Sequence, residues 1–206
     1  MDNNSQIVFP SAARQAQAER GAAKLYEERM EIGFPDRVTP DLAAFIAQID
    51  TAFLGTVSAD GWPYIQHRGG PKGFIKIVDD RTLGFADYRG NRQYITISNL
   101  AANNRAYLFL LEPATRQRIK IWGRARAVEG DDALVKSLFD SGYRARAERA
   151  ILFTIEAWDV NCSQHITPRY VEDDVKKATA MLGERVANLE VENARLRAKL
   201  GEDRES

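Results

Sequence analysis

Three polar clusters in this chain combine the residue types that hold a flat, anionic molecule. The first is Gln66-His67-Arg68-Gly69-Gly70, the polar end of a short apolar run. A cation beside paired glycines offers charge together with close access to the backbone. The second is ADYRGNRQYITISNLAANNR, residues 86–105. Gly90 permits a sharp turn there, after which Asn91, Arg92 and Gln93 open a helix running through Leu100. Turn amides, a helix N-terminus and a guanidinium together suit a phosphate. The third is the row Arg116, Arg118, Lys120, Arg124 and Arg126 with Trp122 among them, all even-numbered. At a period of two they share one strand face, with Gln117, Ile119, Ile121, Gly123, Ala125 and Ala127 on the other. That row is either a solvated outer face of snorkelling side chains or a surface opposed by an anion. On neighbouring strands of one small barrel, the three clusters would form a single pocket for a phosphorylated aromatic ligand.

Other chemistries are excluded by spacing. No two glycines stand two positions apart, so the dinucleotide fingerprint G-x-G-x-x-G is absent. The phosphate loop G-x-x-x-x-G-K-S/T and the nucleophile elbow G-x-S-x-G are absent too. A zinc site built on His and Cys would have only His67, His165 and Cys162 to draw on. Cys162-x-x-His165 is half a ligand set with no second half, so no metal is expected.

The elements that must position the clusters read as mostly β. Short apolar runs at 53–57, 62–67, 73–78, 82–86, 106–111, 118–128 and 150–158 are strand candidates. Asp60-Gly61 between the first two is a hairpin signal. Helical segments fit 11–32, Pro40–Ile49, and stretches near 91–102 and 131–147. Many short antiparallel strands with few helices argue for a barrel or sandwich. Beyond residue 171 the period changes. Val175, Thr179, Leu182, Val186, Leu189, Asn193, Leu196 and Leu200 form an a/d heptad seam with Asn193 at an a position. Such an Asn fixes register and favours a parallel two-stranded coil. The alternative is a single helix packed on its own barrel.

The whole composition is that of an ordinary globular chain. Its 206 residues are 44% apolar and 28% charged, and 29 basic residues balance 29 acidic ones. Global charge therefore gives no reason to expect nucleic acid as a partner. No apolar stretch reaches the length of a membrane span, and the N-terminus lacks the pattern of a secretory signal. A single cysteine fits a reducing compartment. The chain reads as a soluble cytoplasmic protein.

The order FLGTVSADGWPYIQHRGGPKGFIKIVDDRTLGFADYRGNRQYITISNLAANNRAYLFLL, followed by RQRIKIWGRARAV, closely resembles the pyridoxamine 5'-phosphate oxidase-like FMN-binding proteins. The run from Gly84 to Asn99 is the most specific part. The resemblance implies an antiparallel FMN-binding split barrel over 35–170; outside it, the residue pattern gives an N-terminal helical extension over 1–34 and a C-terminal helix over 171–206 that can form a short coiled coil. The resemblance also implies a homodimer with FMN at the subunit interface. His67, Arg68 and Gly69 would then lie along the isoalloxazine and ribityl chain, with Lys72 in the same region. Ala86, Asp87, Asn91 and Arg92 stand where the family places its phosphate-binding turn and helix start. Gln117 and Arg118 fall where a strand from the partner subunit reaches the flavin. Gln164, His165 and Arg169 would line the open flavin face, with His165 the one candidate acid or base.

Two departures separate the chain from vitamin B6 oxidation. The heptads replace the Trp-, Arg- and His-rich C-terminal signature of the true oxidases, and Gly-Asn-Arg stands where those carry Ser-Arg-Lys. The expected function is that of an FMN-dependent oxidoreductase moving hydride or electrons between a nicotinamide or small organic donor and an acceptor. The alternative is a non-catalytic binding protein for flavin or another planar ligand such as haem.

Overall fold

The computed structural model describes residues 3–205, with side chains through residue 200. Residues 1 and 2 of the N-terminal extension and residue 206 of the C-terminal segment lie outside the described residues. The chain forms two compact units, one running to Glu112 and again from Arg116 to His165, the other made of Pro113–Thr115 and the chain from Ile166 on.

In the first unit, the N-terminal segment is broken where one helix over 11–32 was expected. It forms α1 (Ser5–Val8), α2 (Ser11–Glu19), a 3-10 turn at Ala23–Leu25 and α3 (Glu27–Ile32). Gly21, at φ +69°, takes the left-handed conformation that ends α2. Helix α4 (Pro40–Ile46) starts on Pro40, and the Thr39 hydroxyl accepts from the Leu42 amide.

Seven antiparallel strands follow: β1 (Thr51–Val57), β2 (Pro63–Gly69), β3 (Lys76–Ile77), β4 (Thr82–Tyr88), β5 (Arg105–Glu112), β6 (Gln117–Val128) and β7 (Ala147–Val160). Their order in the sheet is β2-β1-β5-β6-β7-β4-β3. The Asp60-Gly61 hairpin forms as expected, with Gly61 at φ +86° and the Ser58 amide donating to the Trp62 carbonyl. β3 is shorter than the expected 73–78 run. Phe74 and Ile75 are both buried, and consecutive inward side chains break the strand alternation. Between β4 and β5 lies α5 (Ile95–Ala102), and between β6 and β7 lies α6 (Asp132–Leu138), capped by Asp131. α6 is much shorter than the helix expected over 131–147.

The sheet rolls up. Arg68 on edge strand β2 forms an ion pair with Asp87 on β4, which lies near the opposite edge of the strand order. The ends of the sheet therefore meet across a gap that no strand ladder closes, which is a split barrel. Leu54, Leu83, Phe85, Leu108, Leu110, Ile121, Ile151 and Phe153 fill its interior, plugged by Leu42 and Ile46 of α4.

β6 keeps its predicted alternation, with Ile119, Ile121 and Ala125 buried inside. The cationic row is the outer face, matched by the next strand: Lys120 pairs with Asp159 at 3.3 Å and Arg124 with Glu156 at 2.6 Å.

The second unit is dominated by α7 (Glu172–Glu205), one continuous helix. Glu172, Asp173 and Asp174 in its first turn complement the helix dipole, and Glu172 pairs with Lys176 at 2.6 Å. Leu182, Val186, Leu189, Leu196 and Leu200 along its seam are all exposed.

Candidate functional site

The inward rows of three strands end in polar residues at one end of the barrel. On β2 the inward positions include Gln66 and Arg68. On β4 the row Leu83, Phe85 ends at Asp87, and on β7 the row Ile155, Phe153, Ile151 ends at Arg149. These termini converge where β2 faces β4 across the split. Asp87 is 6% exposed and accepts from both Arg68 and Arg149, the latter at 3.0 Å. Arg149 also donates to Glu129 at 2.8 Å and to Glu148 at 3.3 Å. Burial opposes the charge on Arg149, but the hydrogen bonds to Asp87 and Glu129 outweigh it and raise its pKa.

The loop before α5 closes the slot. α5 does not begin at Asn91, as the sequence suggested. Arg92 (φ 62°) and Tyr94 (φ 55°) take the left-handed conformation, and the helix starts at Ile95. These two turns fold the loop back on itself, so that the Arg92 Nε donates to the Tyr94 hydroxyl at 3.1 Å. The Tyr94 ring in turn lies 5.3 Å from the Arg149 guanidinium. α5 is pinned to the sheet by polar contacts. The Thr96 hydroxyl donates to Gln66 at 2.6 Å, and the buried Asn99 amide donates to the Thr56 hydroxyl at 3.0 Å.

The result is a slot of about 50 Å³ lined by Gln66, Arg68, Asp87, Asn91, Arg92 and Arg149, among others. Three guanidiniums (Arg68, Arg92, Arg149) face two carboxylates (Asp87, Glu148) in that lining, leaving one net positive charge. The buried Nε of Arg68 has no hydrogen-bond partner among the described residues. The slot is small and polar, with room for a group of phosphoryl size. An unused guanidinium donor in a small cationic slot fits the phosphate end of FMN.

Of the residues singled out from sequence, Arg68, Asp87, Asn91 and Arg92 are brought together here. The others are placed elsewhere. His67 alternates to the outer face of β2, edge-on to Phe53 at 5.8 Å. Next to it, the space over Gly70 is taken by Phe74, whose Cβ lies 2.6 Å from where a Cβ on the glycine would stand. The space over Gly70 therefore admits a core side chain, and that over Gly69 admits the His67 ring, 2.9 Å from where a Cβ would stand. Lys72 is exposed in the loop after β2, and Ala86 packs outward against Leu138 of α6. Gln117 and Arg118 begin β6, about 35 Å of strand from Val128, which pairs beside Arg149, and neither lines the slot. The Arg118 Nε donates to the Cys162 carbonyl at 3.0 Å, and exposed His165 (φ 62°) follows on the same side.

A second recess, of about 740 Å³, lies on the outer sheet face across β2, β1, β5 and β6. Phe53, Ile65, Tyr107, Phe109, Leu111 and Trp122 give it an almost wholly apolar lining. Tyr107 meets Trp122 edge-on at 5.2 Å. Burial, and then the charge of Asp159, push the Tyr107 phenol up to about 12. The folded chain thus holds this proton more tightly than the unfolded chain does. The contribution to stability is complete below pH 10 and is lost as pH rises from about 10 to 12. Tyrosinate absorbance should show a component near pH 12 that Tyr107→Phe removes. Titration of that component near 10 would mean a solvated recess.

Residues 38–162 match the sequence profile of pyridoxamine 5'-phosphate oxidase. The chain belongs to the pyridoxamine 5'-phosphate oxidase family. A comparison with curated proteins finds no match. Among solved structures, the chain is similar to HupZ of Group A Streptococcus, with 18% identity over 65% of this chain and 99% of that one and a TM-score of 0.49. It is similar to an FMN-binding protein of Syntrophomonas wolfei (17% identity, 73% and 95% covered, TM-score 0.45). It is also similar to HutZ, the haem storage protein of Vibrio cholerae (16% identity, 60% and 94% covered, TM-score 0.42). Within the family domain, sequence reasoning missed Arg149. Its signal was a lone charge at the end of the period-two row Arg149, Ile151, Phe153, Ile155. No helix among the described residues is long and apolar enough to cross a membrane.

Proposed function

We propose that this protein is a homodimeric FMN-binding flavoprotein, an oxidoreductase that passes hydride or electrons between a nicotinamide or small organic donor and an acceptor. The observation that carries this reading is the cationic slot in the split of a family-matched barrel, with its unused Arg68 donor. Arg68 and Arg92 would hold the phosphate, while Asp87 fixes Arg68 and Arg149 in place. A bound flavin supplies reversible hydride and electron transfer.

With its phosphate in this polar slot, the apolar ring system would lie outside it and need a second wall. The apolar face around Ile65, Tyr107 and Trp122 is of the kind that buries a second copy. Pairing of two barrels would let Gln117 and Arg118, which do not line the slot of their own chain, serve the site of the other. His165, in the segment that Arg118 contacts at Cys162, is the candidate to orient substrate or move a proton.

Denaturing the purified protein should release FMN, and a reduced nicotinamide should bleach the bound flavin through repeated turnovers. Release of haem, or of no flavin after incubation with FMN, would overturn the cofactor. A flavin left oxidised across a donor screen would favour a non-catalytic binding protein. Arg92→Ala should weaken FMN binding measurably, because a charge-assisted hydrogen bond to the phosphate is lost. Unchanged affinity would place the phosphate elsewhere.

A further inference from the structure

α7 presents a continuous apolar seam, and the charges beside that seam say what covers it. Val175, Leu182, Leu189 and Leu196 fall at d positions, and Thr179, Val186, Asn193 and Leu200 at a positions. Val at a with Leu at d favours two strands, and a polar Asn among them selects one register. The flanking g positions include Arg185 and Glu192, and the e positions Glu190 and Arg197. In a parallel, in-register pair, a g residue meets the e residue five positions later on the other helix. Arg185 then meets Glu190, and Glu192 meets Arg197, twice each across the dimer. Both of these pairings are attractive, and each Asn193 meets its own copy.

We propose that α7 is a parallel two-stranded coiled coil whose partner is the α7 of a second copy of this chain. An antiparallel pair would set a positions against d positions, leaving each Asn193 amide buried against a leucine with no mate. The coil does not depend on the flavin reading, and its test reads the helix alone. Three to four heptads are marginal in isolation. In the full chain a second contact between copies would raise the effective concentration of the two helices.

The test is disulfide trapping in the full-length protein with Cys162→Ser as background. Leu200→Cys, at an a position, should form a covalent dimer under mild oxidation. Val191→Cys, on the opposite face of the helix, should react at least tenfold more slowly. Equal rates would overturn the proposal, as would no cross-link at 200. Exchanging charges separates a seam from chance collision. In the Leu200→Cys background, Arg185→Glu with Glu192→Arg makes all four contacts repulsive without changing net charge. Cross-linking should slow by roughly tenfold. Adding Glu190→Arg and Arg197→Glu restores complementarity and should restore the rate. Slowing without recovery in the fourfold variant, or no slowing at all, would show that these residues do not face one another. Circular dichroism of each variant checks that the helix persists.

Discussion

Replacing Asp87 with Asn is expected to cost about 3 kcal/mol of folding stability and to make what remains depend on added phosphate. Asp87 is the shared anchor of two guanidiniums, and the three side chains are 7% to 11% exposed. Removing one partner of a buried pair leaves the other charge uncompensated, which typically costs 3–5 kcal/mol. The loss falls mainly on Arg68, since Arg149 keeps Glu129 and Glu148. The lower end of that range applies because the amide still accepts a hydrogen bond. The same change removes one of two carboxylates from the slot lining, so the slot of the variant attracts an anion more strongly than the original. A ligand that binds the folded state stabilises it by RT ln(1 + [L]/Kd). The urea midpoint of Asp87→Asn should therefore rise with phosphate concentration more steeply than that of the unaltered protein. Chloride at matched ionic strength should have little effect. A loss under about 1 kcal/mol, or rescue by chloride as good as by phosphate, would mean that this cluster is neither buried nor an anion site.

Much of this site was legible in the chain, for reasons that also explain what was not. Arg68 and Asp87 are polar residues at the ends of apolar runs, where a strand leaves the core and its last inward position can face a ligand, while Asn91 and Arg92 follow the Gly90 turn ahead of a helix. The odd-inward, even-outward pattern of β6 followed from its period alone. Grouping His67 with Arg68 overlooked the same rule, since adjacent strand residues point to opposite faces. Arg149 was missed because β7 starts three residues earlier than its apolar run. The loop closing the slot was not legible. Left-handed conformations at Arg92 and Tyr94 have no composition signal, because neither is Gly, Asn or Asp. The apolar recess was hidden by topology. Phe53, Tyr107 and Trp122 are far apart in sequence and meet only because β1, β5 and β6 are neighbours.

The site also rests on a residue far from it, Gly123. The register of β6 against β7 shifts between Trp122 and Gly123: Trp122 faces Ala157 while Gly123 faces Ile155, so Glu156 is the extra residue of a bulge. That extra residue reverses the phase of β7. Before it, odd-numbered Ile151, Phe153 and Ile155 point inward; after it, Trp158 does, with its indole N–H donating to the Arg37 carbonyl at 2.8 Å. A Cβ on Gly123 would stand 2.0 Å from the Thr154 carbonyl oxygen and 2.6 Å from the Phe153 ring. The first obstacle is backbone in a central strand pair and cannot swing aside. Gly123→Ala must therefore part the strands or close the bulge. Closing it would turn either Trp158 out of the core or the row ending in Arg149 out of the slot. The expected loss is about 3 kcal/mol, at the upper end for overpacking, with phosphate protection lost alongside it. Gly142→Ala is the control. It has no heavy atom within 4 Å of the added carbon and an ordinary φ, and should stay within about 0.5 kcal/mol of the parent in urea. If Gly123→Ala were as harmless as this control, the bulge would not set the phase of β7. Arg149 would then owe its place in the slot to Asp87 and Glu129 alone.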